Sequence, residues 1–144
     1  MISIMTNTQF HVSGLGRKIV RSDSPVEKEF GFSRATRIGD HVWVAGITAI
    51  SPEGVVGVGD PDAQAQEVFG RLEAILAAVG ATFADVVRTR AFAIDDAGLR
   101  AFAKEHSRVF ADIQPVSTAL LVNGFVHPDV QLEVEVDAYI APRD

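Results

Sequence analysis

The chain contains no cysteine, which removes disulfides, thiolate metal sites, iron–sulfur clusters and cysteine nucleophiles together. That absence fits a reducing, cytoplasmic setting. No apolar run approaches the roughly 18 to 20 residues that a membrane span needs, and the opening MISIMTNTQF lacks the basic and apolar regions of a secretion signal. We therefore expect a soluble, unprocessed protein with no membrane partner. Basic residues are also scarce, 13 against 19 acids for a formal charge of −6. They do not gather into a stripe, which disfavours nucleic acid as a partner. The four histidines, His11, His41, His106 and His127, show no HxH or HExxH spacing, so no metal site is expected. No cofactor is expected either: Gly14-x-Gly16 has neither the buried strand before it nor the apolar helix after it that a dinucleotide loop requires.

What the chain does have is enough apolar residue, 47% of 144 positions, to build one continuous core without metal or disulfide support. We read residues 1–25 as an N-terminal extension, an edge strand or hairpin or a mobile arm, and residues 26–144 as one domain. The clearest stretch runs from Pro115 to Ile140 and reads as two strands joined by a turn. In the second strand Leu132, Val134, Val136, Ala138 and Ile140 fall on one face, and Gln131, Glu133, Glu135, Asp137 and Tyr139 on the other, because side chains alternate along a strand. Successive acids on that face lie roughly 6 to 7 Å apart, so like charges raise one another's pKa where water is excluded.

Upstream, FGFSRATRI alternates from Phe30, Gly39-Asp40 makes a turn, and VWVAGITAI follows as an apolar strand, which together spell a hairpin. Asp60-Pro61 is a helix start, and Ala65, Val68, Phe69, Leu72, Ile75, Leu76 and Val79 recur at three and four, so a helix is expected over 61–79. The strand VVRTRAFAI puts Arg88, Arg90 and Phe92 on one face, and Asp95-Asp96 caps a second helix over 97–111. The order β-β-α-β-α-β-β predicts an α+β fold, a single sheet with both helices on one face. The other face is too polar for a second core and too aromatic for plain solvent, which points to a homo-oligomer.

Four pieces, GFSRATRIGDHVWVAG, AQAQEVFGRLEAILAAVGAT, ADVVRTRAFAIDD and VQLEVEVDAYI, resemble in order and spacing the RidA (YjgF) family of small trimers. The resemblance covers about four-fifths of the chain. It implies a chorismate-mutase-like fold, a homotrimer, and hydrolysis of reactive imines and enamines to ketones and ammonia in clefts between subunits. It also implies roles for single residues. Glu133 stands where a glutamate positions the attacking water, Phe32 where a tyrosine covers the substrate, and Gly46, preceded by Ala45 rather than serine, at the cleft floor. The family's Pro-Ala-Arg-Ser motif reads Pro115-Val116-Ser117-Thr118 here, so the arginine that grips a substrate carboxylate is replaced by Ser117. The chain thus resembles the members lacking that arginine. Loss of the charge-assisted pair weakens a 2-imino acid by about 2 to 4 kcal/mol.

Each of these residues has two readings. Glu133 is a general base or water-orienting group, or else an interface acid paired with Arg88 or Arg90. Ser117 and Thr118 hydrogen-bond a neutral small molecule, or simply suit strands. Phe125 lines a pocket, and His127 reaches a cleft or stays a turn residue. His106, on the apolar stripe of the second helix, is expected as a hydrogen-bonded core residue. The functional expectation is a deaminase-like hydrolase with Glu133 at its centre. The alternative is a small-molecule-binding or regulatory trimer that has lost catalysis. A ribonuclease is disfavoured by the acidic charge.

Overall fold

The computed structural model describes residues 11–13 and 16–142. Nine strands and three helices follow one another as β1 (His11–Ser13), β2 (Arg17–Arg21), α1 (Pro25–Phe30), β3 (Ala35–Ile38), β4 (His41–Ile47), β5 (Ile50–Ser51), β6 (Gly54–Val55), α2 (Pro61–Ala78), β7 (Val86–Ala93), α3 (Asp96–Phe110), β8 (Val116–Leu121) and β9 (Leu132–Tyr139). Seven strands form one sheet in the order β1-β2-β3-β4-β9-β7-β8, and β5 and β6 pair separately. Every pairing in the large sheet is antiparallel except β7 with β8, which is parallel.

Alternation decides which face is core. Leu132, Val134, Val136 and Ala138 of β9, and Val42 and Val44 of β4, are buried. Helix α2 lays Val68, Phe69, Leu72, Ile75 and Leu76 on them, and α3 adds Phe102 and Phe110. Phe69 is the hub, with ring centroids 6.2 Å from both Phe102 and Phe110. Both long helices therefore cover one face of the sheet, as the apolar stripes require. Their caps also form as the sequence indicates. The Asp60 side chain accepts from the Ala63 amide at 3.1 Å, and Asp95 accepts from the Gly98 amide at 2.8 Å.

Two local expectations are corrected. Residues 30–34 are not strand: Ser24 and Pro25 start helix α1, and Gly31, at φ 75°, ends it in the left-handed conformation that favours glycine. The strands flanking the 122–131 connection do not pair with each other either. β7 inserts between β8 and β9, so the chain crosses over rather than turning back. In the segment read as an N-terminal extension, β1 and β2 form a hairpin whose second strand pairs with β3 and lengthens the main sheet. The Gly14-x-Gly16 turn begins outside the described residues.

Candidate functional site

Glu133 belongs to the uncovered face of the sheet, and a defect in pairing gives it its place. β4 and β9 pair in register up to Val44 with Val136 and again at Ile47 with Val134, so Ala45 and Gly46 stand against the single residue Glu135. This is a β-bulge, which bends the strand and re-aims nearby side chains. The Glu133 carboxyl lies in the space that the bulge opens. A Cβ built on Gly46 would stand 2.8 Å from Glu133 Cδ and closer still to Oε1. Gly46 is thus a glycine because Glu133 occupies the position of its missing side chain, and the structure brings these two sequence-predicted residues together.

The three acids in the row differ in company. Arg90 Nη1 lies 3.6 Å from Glu135 and 3.4 Å from Asp137, and Arg88 Nε lies 3.8 Å from Asp137. Glu133 faces Phe92 across the strand pair instead. Among the described residues no Lys, Arg or His nitrogen lies within ion-pair distance of it. Burial pushes the Glu133 carboxyl above the usual range, the charge of Glu135 adds to the shift, and Arg34 opposes it. Within the chain Arg88 and Arg90 serve its two neighbours rather than Glu133.

Phe32 follows the left-handed stop of α1. Arg34 stacks its guanidinium 5.4 Å from the centre of the Phe32 ring. That arginine is itself held by Glu27, which is 3% exposed, at 3.1 Å, and Glu27 also accepts from the amide and hydroxyl of Ser22. Phe32 and Ala45 help wall a broad concave region of about 1210 Å³ on the uncovered face, together with Trp43, Arg90, Glu135 and Asp137. Glu133 and Gly46 are not among its walls.

On the opposite edge the parallel register sets Ser117 against Thr89 and Thr118 against Arg90. Thr89 is wholly buried on the helix side, so Ser117 faces α3 and Thr118 shares the face of Glu133. Thr89 donates to Ser117 Oγ at 2.7 Å, and its hydroxyl oxygen lies 2.9 Å from His106 Nε2. A second concave region, about 430 Å³, opens there between α3 and β8. His106 is the hydrogen-bonded residue that its place on the helix stripe indicates, and burial lowers its pKa. Phe125 is half-buried in the 122–131 connection and lines neither concavity. His127 serves its turn, accepting the Asp129 amide on Nδ1 at 3.1 Å.

Sequence reasoning missed two groups. Thr89 and His106 join Ser117 only through the parallel register of β7 and β8, which no local pattern announces. Arg71 of α2 looks like an interruption in an apolar stripe, yet its guanidinium reaches Glu67 at 3.1 Å, the Thr48 carbonyl at 2.9 Å and the Ile50 carbonyl. It ties down the segment that follows the bulge. Burial lowers its pKa, and Glu67 works against that. Among the described residues no three histidines, cysteines, aspartates or glutamates stand close enough to hold a metal ion, and no helix is long and apolar enough to cross a membrane.

A family model described as Endoribonuclease L-PSP matches residues 23–140. An uncharacterized protein of Streptomyces coelicolor is 39% identical over 120 residues, which is 83% of this chain and 90% of that protein. A RutC family protein of Pyrococcus abyssi is 34% identical over 112 residues, covering 75% of this chain and 85% of its own length. Among solved structures, a member of the YjgF/YER057c/UK114 family from Mycobacterium tuberculosis superposes with a TM-score of 0.77 at 38% identity, over 86% of this chain and 99% of that one. RidA from an Antarctic Psychrobacter gives a TM-score of 0.67 at 25% identity, over 76% of this chain and 88% of that one.

Proposed function

Since this chain belongs to the YjgF/RidA family, we propose that it assembles as a homotrimer, binds a small organic molecule in its intersubunit clefts and hydrolyses a C=N bond there. The observation that carries the reading is Glu133: a carboxyl without an arginine partner among the described residues, with its pKa raised by burial and its position fixed over Gly46. A carboxylate so placed suits general-base work, because a raised pKa brings its proton affinity nearer to working pH. Water adds to the imine carbon while Glu133 takes its proton and then passes it to the nitrogen. The resulting carbinolamine collapses to a ketone, and the nitrogen leaves as ammonia. Phe32 covers the substrate, Gly46 gives the floor room, and Thr118 lies on the same sheet face to hydrogen-bond it. Phe125 closes the cleft from the neighbouring connection in the assembled trimer.

The distribution of the parts supports assembly. In one chain Ser117 faces the helices and Glu133 faces away from them, so a cleft containing both needs the edge of one copy set against the open face of the next. We place the protein in the cytoplasm, in keeping with its cysteine-free sequence. The word endoribonuclease names the family model; on the open face Arg88 and Arg90 are matched by Glu135 and Asp137, which argues against those two arginines as a track for a phosphate backbone.

The test is ammonia release from freshly generated 2-iminopropionate, supplied at concentrations high enough to offset the missing cation. Glu133→Gln should lower kcat by about 10²-fold or more. Because the ionised carboxylate is the base, the wild-type rate should climb as pH rises and reach half its plateau above the ordinary carboxylate range. An unchanged rate in Glu133→Gln removes Glu133 from the chemistry. One observation favours a second reading, a trimer that binds without catalysis, namely Ser117 in place of the cation. Ammonia formed no faster than in buffer from both 2-iminopropionate and its uncharged amide, with the trimer intact, decides for it.

A further inference from the structure

The pocket between α3 and β8 is lined by Phe102, His106, Phe110, Gln114 and Ser117, with no Lys, Arg, Asp or Glu among its walls. Its polar groups are ordered by a count of protons. A hydroxyl has one proton to give. Thr89 spends its own on Ser117 Oγ at 2.7 Å, so the 2.9 Å contact between Thr89 and His106 Nε2 requires the imidazole to donate. His106 is then protonated on Nε2, and the chain of donation runs from His106 through Thr89 to Ser117. Ser117 has its oxygen already served, which leaves its own O–H directed to whatever enters the pocket. Gln114, also in the wall, holds a left-handed backbone at φ 55°, a conformation that is strained for a non-glycine residue.

We propose that the His106–Thr89–Ser117 chain fixes Ser117 as a hydroxyl donor, and that this pocket takes an uncharged acceptor, a carboxamide or ketone group on a small apolar skeleton, rather than a carboxylate. Thr89 and His106 are positioning residues, and Ser117 touches the ligand. A carboxylate would give up its water to enter and meet no positive side chain in the pocket wall, whereas a neutral carbonyl exchanges one hydrogen bond for another. Phe102 and Phe110 flank His106 with tilted rings at 5.1 and 4.8 Å between centroids. They shield one side of the relay and supply apolar surface. The proposal rests on the preceding reading only in taking this pocket as part of the substrate cleft.

The probes are pyruvamide and pyruvate, which share a skeleton and differ in the charge of one end. They are titrated into the full-length, ¹⁵N-labelled protein at pH 8 with far-UV circular dichroism confirming the fold of each variant. We expect the imidazole nitrogens of His106 to report the Nε2-protonated tautomer. Pyruvamide should bind at least about tenfold more tightly than pyruvate. Thr89→Val, which keeps the shape and cuts the relay, should weaken pyruvamide by about three- to tenfold, while Thr89→Ser retains the wild-type value. Ser117→Arg should reverse the preference. An Nδ1-protonated His106, equal or tighter pyruvate binding, an unaffected Thr89→Val, or no binding of either probe at tens of millimolar overturns the proposal. Binding is read without turnover, so loss of selectivity at Ser117 and loss of catalysis by Glu133 give separate results.

Discussion

Glu133 and Gly46 stand 87 positions apart in the chain and share one volume in the fold. The alternation of β9 was enough to put Glu133 on the open face. Its contact with Gly46 was not legible in that pattern, because it depends on the extra residue in β4, and the phase shift that the bulge makes, from Val42 and Val44 to Ile47, is hidden in a run, VWVAGI, that is apolar or small throughout. The same holds for Ser117. The strand assignment was readable, but which face it presents depends on a register set by β7. Gly46→Ala tests the arrangement directly. The added methyl overlaps the carboxyl, so either the strand moves or Glu133 swings toward water. Overpacking of this kind costs about 1–3 kcal/mol. We expect a lower unfolding midpoint and a Glu133 pKa, followed by carboxyl ¹³C shifts, that falls back toward the ordinary carboxylate value as burial is relieved. A Glu133 titration identical to that of the wild type would show that the glycine is there for another reason.

At the scale of elements, the helices were legible because their apolar positions recur with the helical period and their caps carry the right side chains. Helix α1 was not legible in the same way. Its six residues are too few for a stripe, and PVEKEF lies within a polar run whose only start signal is Ser24-Pro25. The crossover of β8 escaped for a different reason: consecutive strands pair with each other more often than not, and no local residue specifies an exception. The caps themselves offer a measurable contribution. Asp95 closes the first turn of α3, and Gly98, whose amide it receives, is packed so closely that a Cβ there would lie 2.8 Å from the Gln131 carbonyl oxygen. Asp95→Ala should cost about 1 kcal/mol, read as a shift in urea midpoint with unchanged slope. A midpoint within error of the wild type would mean that packing of Gly98 against the 131 carbonyl, rather than the cap, sets the start of α3.

One face of the whole sheet is sealed by two helices, and the other is left with groups that suit neither water nor a monomer's surface. Trp43 is 46% exposed, Ile38 46%, Tyr139 40% and Leu120 52%. These residues surround charges already matched within the chain. Trp43 stacks on His41 with ring centroids 5.7 Å apart, and His41 meets the edge of Tyr139 at 5.0 Å. The result is a firm aromatic surface ready to pack with little loss of side-chain freedom. The bare face and the division of the cleft groups between its two sides are both accounted for by the proposed trimer. Wild-type protein should therefore sediment at three times the 15.4 kDa chain mass. Trp43→Asp should release single chains, because it drives an unpaired charge into the contact and removes its largest apolar anchor. Since Trp43 belongs to neither the Glu133 nor the Ser117 group, the separated chains should keep the His106 tautomer and lose imine hydrolysis. Wild-type sedimentation at the mass of one chain, or full turnover by a monomeric Trp43→Asp, would mean that a single copy completes the site, and the two-sided placement of Ser117 and Glu133 would then have no bearing on catalysis.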